Sequence, residues 1–377
     1  MRILHLGKYY APERGGIESY TRALCEWSVA RGHAAAALVH QAPHTWRSTR
    51  ETLGGVDVRR VACIGAPLYT PISPTFPLEL SKALGDFAPD LLHLHLPNPS
   101  CFSALASVRA RRLPWVVHWH SDIPDDAPDW RLRAAYRVYR PFEQALLKQA
   151  RAIVATSQAY LDASAALAPW RAKARVIPLG VADIAPTSPR RDLWPADAGL
   201  RLLAVGRLSH YKGFDVLIDA LAATTGPQLV LVGEGEGADA LRARAHERGV
   251  AGRIRFAGAL DDDSLLAAYA GADALVLPSL NRGEAFGLVL LEAMRARLPV
   301  VASAIPGSGI GEVVADGETG FLVAPGDAPA LAAAIARLDD ATSRQRMGSA
   351  GRARWERQFM LERSAERWLS LYHDLTA

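Results

Sequence analysis

ALVLPSLNRGEAFGLVLLEAMRARLPVVAS, residues 274–303, contains a short apolar run, a polar loop, a longer helical pattern and a second apolar run. The runs 274–279 and 299–303 are apolar at almost every position, as strands covered on both faces of a parallel sheet are. The segment between them, from Leu288 onward, has the length and composition of a helix. A helix that joins two parallel strands is the building unit of a layered α/β domain.

The same alternation of short apolar runs and helical patterns continues through the rest of the chain. It predicts parallel sheets with helices on both faces. The predicted strands are 2–7, 34–40, 56–62, 91–96, 115–120 and 152–157 in the first half, and 201–206, 228–233, 254–258, 274–279, 299–303 and 320–323 in the second half.

The two groups of runs are separated by a segment rich in Pro, Asp and Ser, residues 181–199. A chain of 377 residues exceeds one ordinary core and fits two domains. We therefore expect an α/β protein with two Rossmann-like, doubly wound domains facing each other across a cleft, joined by a linker at 182–199. Ligands of such domains bind outside the carboxyl ends of the strands. Residues 343–373 predict one or two amphipathic helices.

Composition excludes several classes of protein. Half of the residues are hydrophobic and the net charge is +4, which predicts a globular protein with a weak preference for anionic ligands and no nucleic-acid partner. The three cysteines, Cys25, Cys63 and Cys101, lack metal-site spacing and predict buried, reduced thiols in a cytoplasmic protein. The N-terminus does not resemble a signal peptide. No apolar stretch is long enough to span a membrane, so we expect any membrane contact to be peripheral.

The loop in GRLSHYKGFDVLIDAL, residues 206–221, carries two cations between a predicted strand and a predicted helix. Arg207 and Lys212 flank a turn closed by Gly213. A guanidinium and an ammonium at this position suit a diphosphate, although two ordinary surface cations would give the same pattern.

The loop and helix of the opening stretch supply the complementary groups. Phe286, Gly287 and Leu288 lie at the start of the helix, where free amides and the helix dipole attract anions. Glu284 and Glu292, with seven residues between them, can accept hydrogen bonds from sugar hydroxyls and from a ribose diol. Cations, a helix N-terminus and two such carboxylates together predict a site for a nucleotide diphosphate sugar.

These segments resemble the retaining nucleotide-sugar glycosyltransferases of family 4, which have the GT-B fold. The resemblance rests on 206–221, on the EAFGLVLLE pattern, on DGETGFLV (316–323), and on GKYYAPERGGIESYTRAL (7–24), HWHSDI (118–123) and VIPLGV (176–181). It implies an acceptor-binding domain at 1–181 and a donor-binding domain at 200–355. It also implies a last helix, 356–377, that packs back on the first domain.

The resemblance assigns a role to each matching position. Arg207 and Lys212 would bind the donor diphosphate, and Glu292 the ribose. Glu284 would contact the transferred sugar, helped by the amides of Phe286, Gly287 and Leu288. Gly15 and Gly16 would let the first domain approach donor phosphate and acceptor, since glycine has no Cβ to block close approach. His120 would lie at the reacting centre, beside Ser121 and Asp122; without the resemblance it could equally be a core histidine at a strand end.

The implied reaction transfers a hexose to a hydroxyl of a glycan or lipid-linked saccharide with retention and without a metal or other cofactor. The variant HWHSDI resembles mannosyl- and rhamnosyltransferases of bacterial surface polysaccharide assembly, which favours a GDP-sugar such as GDP-mannose. The alternatives are a UDP-sugar-dependent glucosyl-, galactosyl- or N-acetylglucosaminyltransferase and a non-catalytic GT-B scaffold subunit. A nucleotide-sugar 2-epimerase and a pyridoxal-phosphate phosphorylase are disfavoured by the EAFGLVLLE segment and by the lack of a cofactor lysine context.

Three other patterns are expected to be structural. In DDD (261–263) we expect Asp263 to cap the following helix, with Asp261 and Asp262 near the positive end of its dipole, and not to bind a metal. GEGEG (233–237) lacks dinucleotide-binding spacing and predicts a strand-end turn near the nucleoside. HLH (93–95) and HWH (118–120) could each form half of a zinc site, but no cysteine or third cluster accompanies them, so we expect no zinc.

Basic and aromatic residues are interleaved in the first half of the chain. They occur at Arg109, Arg111, Arg112 and Trp115, at Trp46, Arg47 and Arg50, and along 131–151. Such surfaces suit an anionic bilayer, and solvated helix faces explain them equally well. They predict a protein that docks peripherally on the inner face of the cytoplasmic membrane.

Overall fold

The computed structural model describes residues 1–67, 70–123, 130–185, 187–195 and 199–377. Contacts divide the chain into two compact units. The first contains Met1–Gly180 with Leu361–Ala377, and the second contains Val181–Met360. The segment expected as a linker, 182–199, is therefore part of the second unit, where Leu193 and Trp194 are buried. Its residues 186 and 196–198 lie outside the described residues.

The first unit is built on an eight-stranded sheet with the order β3-β4-β2-β1-β5-β6-β7-β8. Every neighbouring pair is parallel except β3 and β4, which are antiparallel. The strands are β1 (Arg2–Leu6), β2 (Ala34–His40), β3 (Thr49–Leu53), β4 (Val56–Val61), β5 (Leu91–Leu96), β6 (Trp115–Trp119), β7 (Ala152–Ala155) and β8 (Ala174–Val176).

Helices connect these strands. They are α1 (Gly16–Ala30), α2 (Phe76–Asp86), α3 (Ser103–Ala106), α4 (Val108–Arg111), α5 (Trp130–Gln149) and α6 (Gln158–Ala163). Their apolar faces bury the central strands, and all residues of β5 and β6 are buried. The continuous apolar runs of these strands follow from burial on both faces of the sheet.

The second unit has a six-stranded, all-parallel sheet with the order β11-β10-β9-β12-β13-β14. Its strands are β9 (Arg201–Val205), β10 (Gln228–Val232), β11 (Ile254–Gly258), β12 (Ala274–Leu277), β13 (Val300–Ser303) and β14 (Gly320–Val323). Its helices are α7 (Phe214–Ala222), α8 (Ala238–Glu247), α9 (Asp262–Gly271), α10 (Leu288–Arg295), α11 (Ile310–Val313), α12 (Ala328–Ala336) and α13 (Ala341–Gln358).

The last helix, α14 (Leu361–Thr376), belongs to the first unit and packs against α1. Three hydrogen bonds fix it there. Trp368 Nε1 donates to the Tyr20 hydroxyl at 2.9 Å, that hydroxyl lies 2.6 Å from Ser364 Oγ, and Ser364 Oγ donates to the Pro178 carbonyl at 2.6 Å. Residues 343–373 thus comprise nearly all of α13 and most of α14, which confirms the prediction of amphipathic helices there.

All twelve predicted strands are present, each within one or two residues of its expected bounds. The sequence did not predict β3 or β8. Strand β3 (TRETL) lies at the edge of the sheet and is mostly exposed, so it carries no apolar run. Strand β8 has only three residues. The three cysteines are buried and form no disulfide, as expected; the cytoplasmic location stays a prediction.

The cap expected at Asp263 was wrong by two residues. Asp261 is the N-cap of α9, and its carboxylate accepts a hydrogen bond from the Ser264 amide at 2.7 Å. Asp262 and Asp263 lie in the first turn, where the helix dipole also favours negative charge. A cap side chain must lie outside the helical backbone in order to reach the third amide, and only Asp261 has an extended backbone here.

Candidate active site

The two loops with predicted donor-site residues follow neighbouring strands of the second unit. Strands β9 and β12 pair side by side, and the order of the sheet reverses between them. In doubly wound sheets this reversal opens a crevice at the carboxyl ends of the strands. The loop after β9 carries Lys212, and the loop after β12 carries Glu284. Topology therefore explains why these residues meet although they are far apart in the sequence.

Lys212 and Glu284 form a buried ion pair. Lys212 Nζ lies 2.5 Å from Glu284 Oε2, and each residue is only 8% exposed. Ser279 Oγ donates to the same carboxylate oxygen at 3.0 Å. Burial is the largest influence on the pKa of Lys212 and lowers it, but the charge and hydrogen bond of Glu284, together with Tyr211 and Glu292, outweigh burial, so the net shift is upward and the ammonium stays charged. A buried charge requires a partner of this kind.

Gly213 lets the two loops approach each other. Its φ of +66° lies in the left-handed region, and a Cβ there would come within 2.1 Å of the Pro278 carbonyl oxygen. The Leu280 amide donates to the Tyr211 carbonyl at 2.8 Å across the same contact. On the other side, Ser308 Oγ donates to the Glu284 carbonyl at 2.5 Å. The backbone on both sides therefore fixes the position of the ion pair.

Glu292 lies on α10 and is held by a residue that the sequence analysis did not identify. The hydroxyl of Tyr269, on α9, donates to Glu292 Oε2 at 2.6 Å. Burial raises the pKa of Glu292, and the hydrogen bond from Tyr269 opposes part of that shift. Tyr269 is almost fully buried, which fixes the direction of its hydroxyl. One carboxylate oxygen of Glu292 is thus engaged by Tyr269, and binding of the ribose by Glu292 stays a prediction.

The remaining predicted donor-site residues belong to the same two connections, the one after β9 and the one between β12 and α10. Arg207 is exposed at the start of the loop after β9. Phe286 is buried, and Gly287 caps α10 with a φ of +82°, so Leu288 is the first helical residue. The first turn of a helix leaves its amide N–H groups without intrahelical partners. These amides therefore follow Glu284 closely in the chain, in the segment that leads from the carboxyl end of β12 into α10.

The glycines predicted for the first unit lie where β1 leads into α1. Gly15 is the N-cap of α1 and Gly16 is its first residue. The φ of Gly15 is 175°, an extended conformation open to any residue. A Cβ on Gly15 would meet only the Glu18 carboxylate, at 2.2 Å, and that side chain can move. Backbone strain therefore does not require glycine here, and its role in close approach to a ligand stays a prediction.

His120 directly follows β6, two strands away from β1 in the same sheet. Its amide donates to the Leu96 carbonyl at 3.0 Å, and its ring is 5% exposed. Asp122 fixes the loop that follows, because its carboxylate accepts from Trp119 Nε1 at 2.9 Å and from Ser164 Oγ at 2.6 Å. Burial, and then the charge of Lys8, lower the pKa of His120 to about 3.

The histidines of HLH (93–95) and HWH (118–120), which we expected to be two separate pairs, form one buried cluster. His5 of β1 joins them, and the five members are His5, His93, His95, His118 and His120. The register of β5 with β6 places His95 opposite His118, and alternate residues of a strand share a face. Ring nitrogens of His95, His118 and His120 lie within 4.8 Å of one another, close enough for a metal ion. The expectation of no zinc stays a prediction.

Family models match both halves of the chain. Residues 15–180 match a glycosyl transferase 4-like domain, and residues 192–354 match glycosyl transferases group 1. The chain is 33% identical to D-rhamnosyltransferase WbpZ of Pseudomonas aeruginosa over 95% of its own length and 92% of the relative's. The chain belongs to the family 4 glycosyltransferases.

Two further similarities extend over nearly the whole chain. This glycosyltransferase is 29% identical to O-antigen chain mannosyltransferase C of Escherichia coli, over 100% of its own length and 99% of the relative's. Its structure is similar to that of sucrose-phosphate synthase from Thermosynechococcus elongatus, with a TM-score of 0.82, 27% identity and coverage of 99% and 98% of the two chains. The α/β fold is thus GT-B, and the protein is an enzyme that transfers hexosyl groups.

Five residues of the glycosyltransferase's candidate site were not predicted as functional: Ser279, Ser308, Tyr269, His95 and His5. Ser279 directly follows the apolar run of β12, so its place at a carboxyl strand end was a usable signal. Tyr269 lies in an alanine-rich helix, and nothing in its local sequence indicates that it contacts Glu292.

The predicted membrane surface needs one correction. Trp115 is fully buried in β6 and donates to the Ala110 carbonyl at 2.8 Å, so it cannot contact a bilayer. Other apolar side chains are exposed, namely Trp46 at 79%, Trp130 at 65%, Val138 at 69% and Phe142 at 51%. Among the residues that the structure describes, no helix is both long and apolar enough to cross a membrane.

Proposed function

We propose that this glycosyltransferase moves a mannose-type hexose from a GDP-sugar to a hydroxyl of a glycan or lipid-linked saccharide, with retention and without a metal ion. The observation that carries the proposal is the buried contact between Lys212 and Glu284 at the point where the order of the sheet reverses. The names of the relatives, a mannosyltransferase and a rhamnosyltransferase, support the choice of sugar.

Lys212 is placed to neutralise a diphosphate. An ammonium has three N–H donors, and Glu284 and its surroundings occupy only part of this capacity. A phosphate oxygen can accept from Lys212 while the ion pair stays formed. Exposed Arg207 adds a second cation and the start of α10 adds amide donors, so negative charge on the leaving group is stabilised by groups that are already in place.

Glu284 and Glu292 are the proposed sugar contacts. Glu284 Oε2 is engaged by Lys212 and Ser279, which leaves Oε1 to accept from hydroxyls of the transferred hexose. Glu292 Oε2 is engaged by Tyr269, which leaves Oε1 for the ribose diol. A carboxylate whose second oxygen is already bound does not rotate freely, so less order is lost when the sugar binds.

His120, Gly15 and Gly16 are the proposed contributions of the first unit. In this mechanism His120 contacts the transferred hexose, and the glycines admit the donor phosphate and the acceptor. The acceptor hydroxyl attacks from the face that the diphosphate leaves, and the departing phosphate oxygen takes its proton.

The first test is a thermal-shift panel of GDP-, UDP-, ADP- and dTDP-sugars, run in buffer and again in EDTA. A ligand that binds the folded state raises apparent stability by mass action. We expect the largest shift with a GDP-sugar, no effect of EDTA, and loss of the shift in Lys212→Ala. A shift only with UDP-sugars would move the proposal to the UDP-dependent alternative. No shift with any sugar nucleotide would support a non-catalytic scaffold.

We also propose that α5 docks peripherally on anionic lipid. Trp130, Val138 and Phe142 are exposed along a helix whose exposed positions include Arg131, Arg137 and Arg140. Exposed apolar side chains flanked by arginines suit an interface with anionic headgroups. Cosedimentation with phosphatidylglycerol vesicles should fall in the double variant Val138→Ser, Phe142→Ser and persist in Leu78→Ser, which alters an equally exposed residue of α2. Equal binding by both variants would contradict this docking surface.

A further inference from the structure

Three buried histidines of the first unit form a continuous hydrogen-bonded chain that ends at His120. His5 Nδ1 lies 3.1 Å from His95 Nε2, and His95 Nδ1 lies 2.9 Å from His120 Nε2. The three residues come from β1, from β5 and from the position directly after β6. These strands are neighbours, so the sheet itself sets the spacing of the rings.

All three rings are neutral. Burial lowers the pKa of His5 to about 3, and burial followed by the charge of Lys8 does the same for His120. Burial, and then the two neighbouring histidines, hold the pKa of His95 well below its usual range. A neutral imidazole has one N–H donor and one acceptor nitrogen. Each hydrogen bond therefore fixes the tautomer of the next ring, and the protons can run along the chain in only two ways.

The far end of the chain decides between these two arrangements. His5 Nε2 is buried and has no hydrogen-bond partner among the described residues. If the donors pointed toward His5, that nitrogen would carry an N–H with no acceptor. Orphaned buried N–H groups are rare in folded proteins, and underused acceptors are less so. The favoured direction runs from His5 to His95 to His120, and it places the proton of His120 on Nδ1.

We propose that His5 and His95 are positioning residues that keep His120 in the tautomer with its proton on Nδ1, ready to donate to a hydroxyl oxygen of the transferred hexose. The role of the hexose contact rests on the proposed function, whereas the tautomer depends only on the first unit. A histidine that acts in catalysis needs its tautomer and ring orientation fixed by the partner of its other nitrogen.

The ring geometry favours this chain over a metal ion in the same cluster. His95 belongs to both groups of histidines whose nitrogens lie close enough to hold a metal ion. Both of its ring nitrogens are already engaged, Nε2 with His5 and Nδ1 with His120. The N–N separations of 2.9 Å and 3.1 Å are those of ordinary hydrogen bonds.

The tautomer can be read directly by NMR on the full chain labelled with 15N-histidine. Two-bond 1H–15N spectra show which ring nitrogen carries the proton, and loss of one signal set in His120→Gln assigns that residue. We expect His120 to be protonated on Nδ1 in the wild type. We expect both tautomers in His95→Ala, because water in the new cavity can donate to or accept from Nε2. A wild-type proton on Nε2, or one stoichiometric metal ion in the purified protein, would overturn the proposal.

His118→Ala is the matched control for this experiment. His118 is as deeply buried as His95, and its ring centroid lies 4.0 Å from that of His120, but neither of its ring nitrogens has a partner among the described residues. We expect His118→Ala to keep the Nδ1 proton of His120. Equal changes of the tautomer in both variants would mean that packing, and not the hydrogen-bonded chain, fixes the ring.

Kinetics give a second readout. In His95→Ala we expect kcat for hexosyl transfer to fall at least about tenfold, since a catalytic histidine in the wrong tautomer loses orders of magnitude in rate. The Kd of the nucleoside diphosphate should stay unchanged, because His120 is assigned to the hexose. If the wild type transfers no hexose at all, the proposed function fails, and the NMR spectra still decide the tautomer.

Discussion

The two units bury polar groups at the carboxyl edges of their sheets in opposite ways. In the first unit the group is a cluster of five histidines, all kept neutral by burial and joined in part by hydrogen bonds between rings. In the second unit the group is the ion pair of Lys212 and Glu284. Neutral rings can stack without counter-charges, whereas a buried charge needs a partner at contact distance.

The two arrangements suit different functions, namely stabilising charge in the second unit and orienting neutral polar groups in the first. The ion pair keeps the Lys212 ammonium protonated and fixed in place near the expected position of a diphosphate. The histidine cluster holds polar nitrogens in fixed directions without adding charge. Removing a cation from the second unit should therefore slow hexosyl transfer strongly. Protonating the histidine cluster should unfold the first unit at a pH at which the reaction itself is still unaffected.

The largest expected effect comes from the cations of the second unit. Lys212→Ala and Arg207→Ala should each lower kcat by roughly 10²–10³, as loss of a preorganised charge-stabilising donor does. The two variants should differ in stability. Arg207 is exposed, so its removal should leave Tm unchanged, whereas Lys212→Ala leaves Glu284 buried and unpaired at a cost of about 3–5 kcal/mol.

Initial-rate transfer assays measure kcat, and thermal unfolding measures Tm separately. Lys82→Ala is the control, because Lys82 is an exposed lysine whose ion pair with Glu79 lies on the surface of α2. A kcat near the wild-type value in both Arg207→Ala and Lys212→Ala would show that these two cations do not stabilise the leaving diphosphate.

The second effect concerns acid stability of the histidine cluster. The folded pKa values of His5 and His120 are about 3, below the ordinary value of 6.5, so between these limits the unfolded chain binds more protons than the folded one. Stability is therefore fully present above 6.5 and falls as the pH falls. Each buried neutral histidine adds about 1.4 kcal/mol per pH unit to this dependence.

His118→Leu should make the dependence shallower by one such increment. Urea titrations at about pH 7.5, 6 and 5 give the free energy of unfolding at each pH, and the variant should lose less on acidification than the wild type. His246→Gln serves as the control, because His246 is exposed on α8. An identical pH dependence in His118→Leu and the wild type would show that His118 is not kept neutral by the folded protein.

A third effect sharpens the contrast inside the second unit, between an ion pair and a carboxylate held by a neutral hydroxyl. Tyr269→Phe removes the 2.6 Å hydrogen bond to Glu292 and leaves the packing of the ring. We expect the Kd of the nucleoside diphosphate to rise about tenfold, in the range typical of hydrogen bonds to charged groups. Calorimetry with a 2′,3′-dideoxyribose analogue is the matched control, since that ligand has no diol to lose. Equal losses for both ligands would mean that Tyr269 does not act through the ribose contact.

The smallest effect separates structural carboxylates from those of the site. Asp261→Ala should lower the free energy of unfolding by about 1 kcal/mol, as loss of a helix cap does, without changing kcat. Asp263→Ala should change it by a few tenths at most, because Asp263 lies in the first turn of α9, where its charge is favoured by the helix dipole. Chemical denaturation with and without EDTA measures both variants. A larger loss of unfolding free energy in Asp263→Ala, or a loss that appears only after EDTA treatment, would indicate that residues 261–263 bind a metal ion.

The sequence predicted the sheets well because their strands are buried on both faces and so carry continuous apolar runs. It failed where that cause is absent, at β3, which is a polar edge strand, and at the three-residue β8. The sequence predicted Lys212 and Glu284 as donor-site residues but not the ion pair between them, because that contact depends on β9 and β12 being neighbours in the sheet. It did not predict the partner of Glu292 either, because Tyr269 reaches Glu292 from another helix and no spacing in the chain indicates that contact.

The histidines show a similar limit. HLH and HWH each place two rings on one face of a strand, and this period was visible in the sequence. Nothing local revealed that His5, near residue 1, lies on the neighbouring strand and completes a chain of hydrogen bonds. The order of strands β1, β5 and β6 is a property of the whole sheet, so it could not be obtained from any single segment.

The docking of α14 on the first unit has a consequence for biosynthesis. Residues 361–377 leave the ribosome after the entire second unit, yet Ser364 and Trp368 bond to Tyr20, and Tyr372 bonds to His93. Residues 1–180 therefore leave part of their apolar surface uncovered until α14, the last element to be translated, has been synthesised. Stalled chains released at residue 360 should be degraded or captured by chaperones, whereas chains released at residue 377 should resist protease, and pulse-labelled translation can time this change.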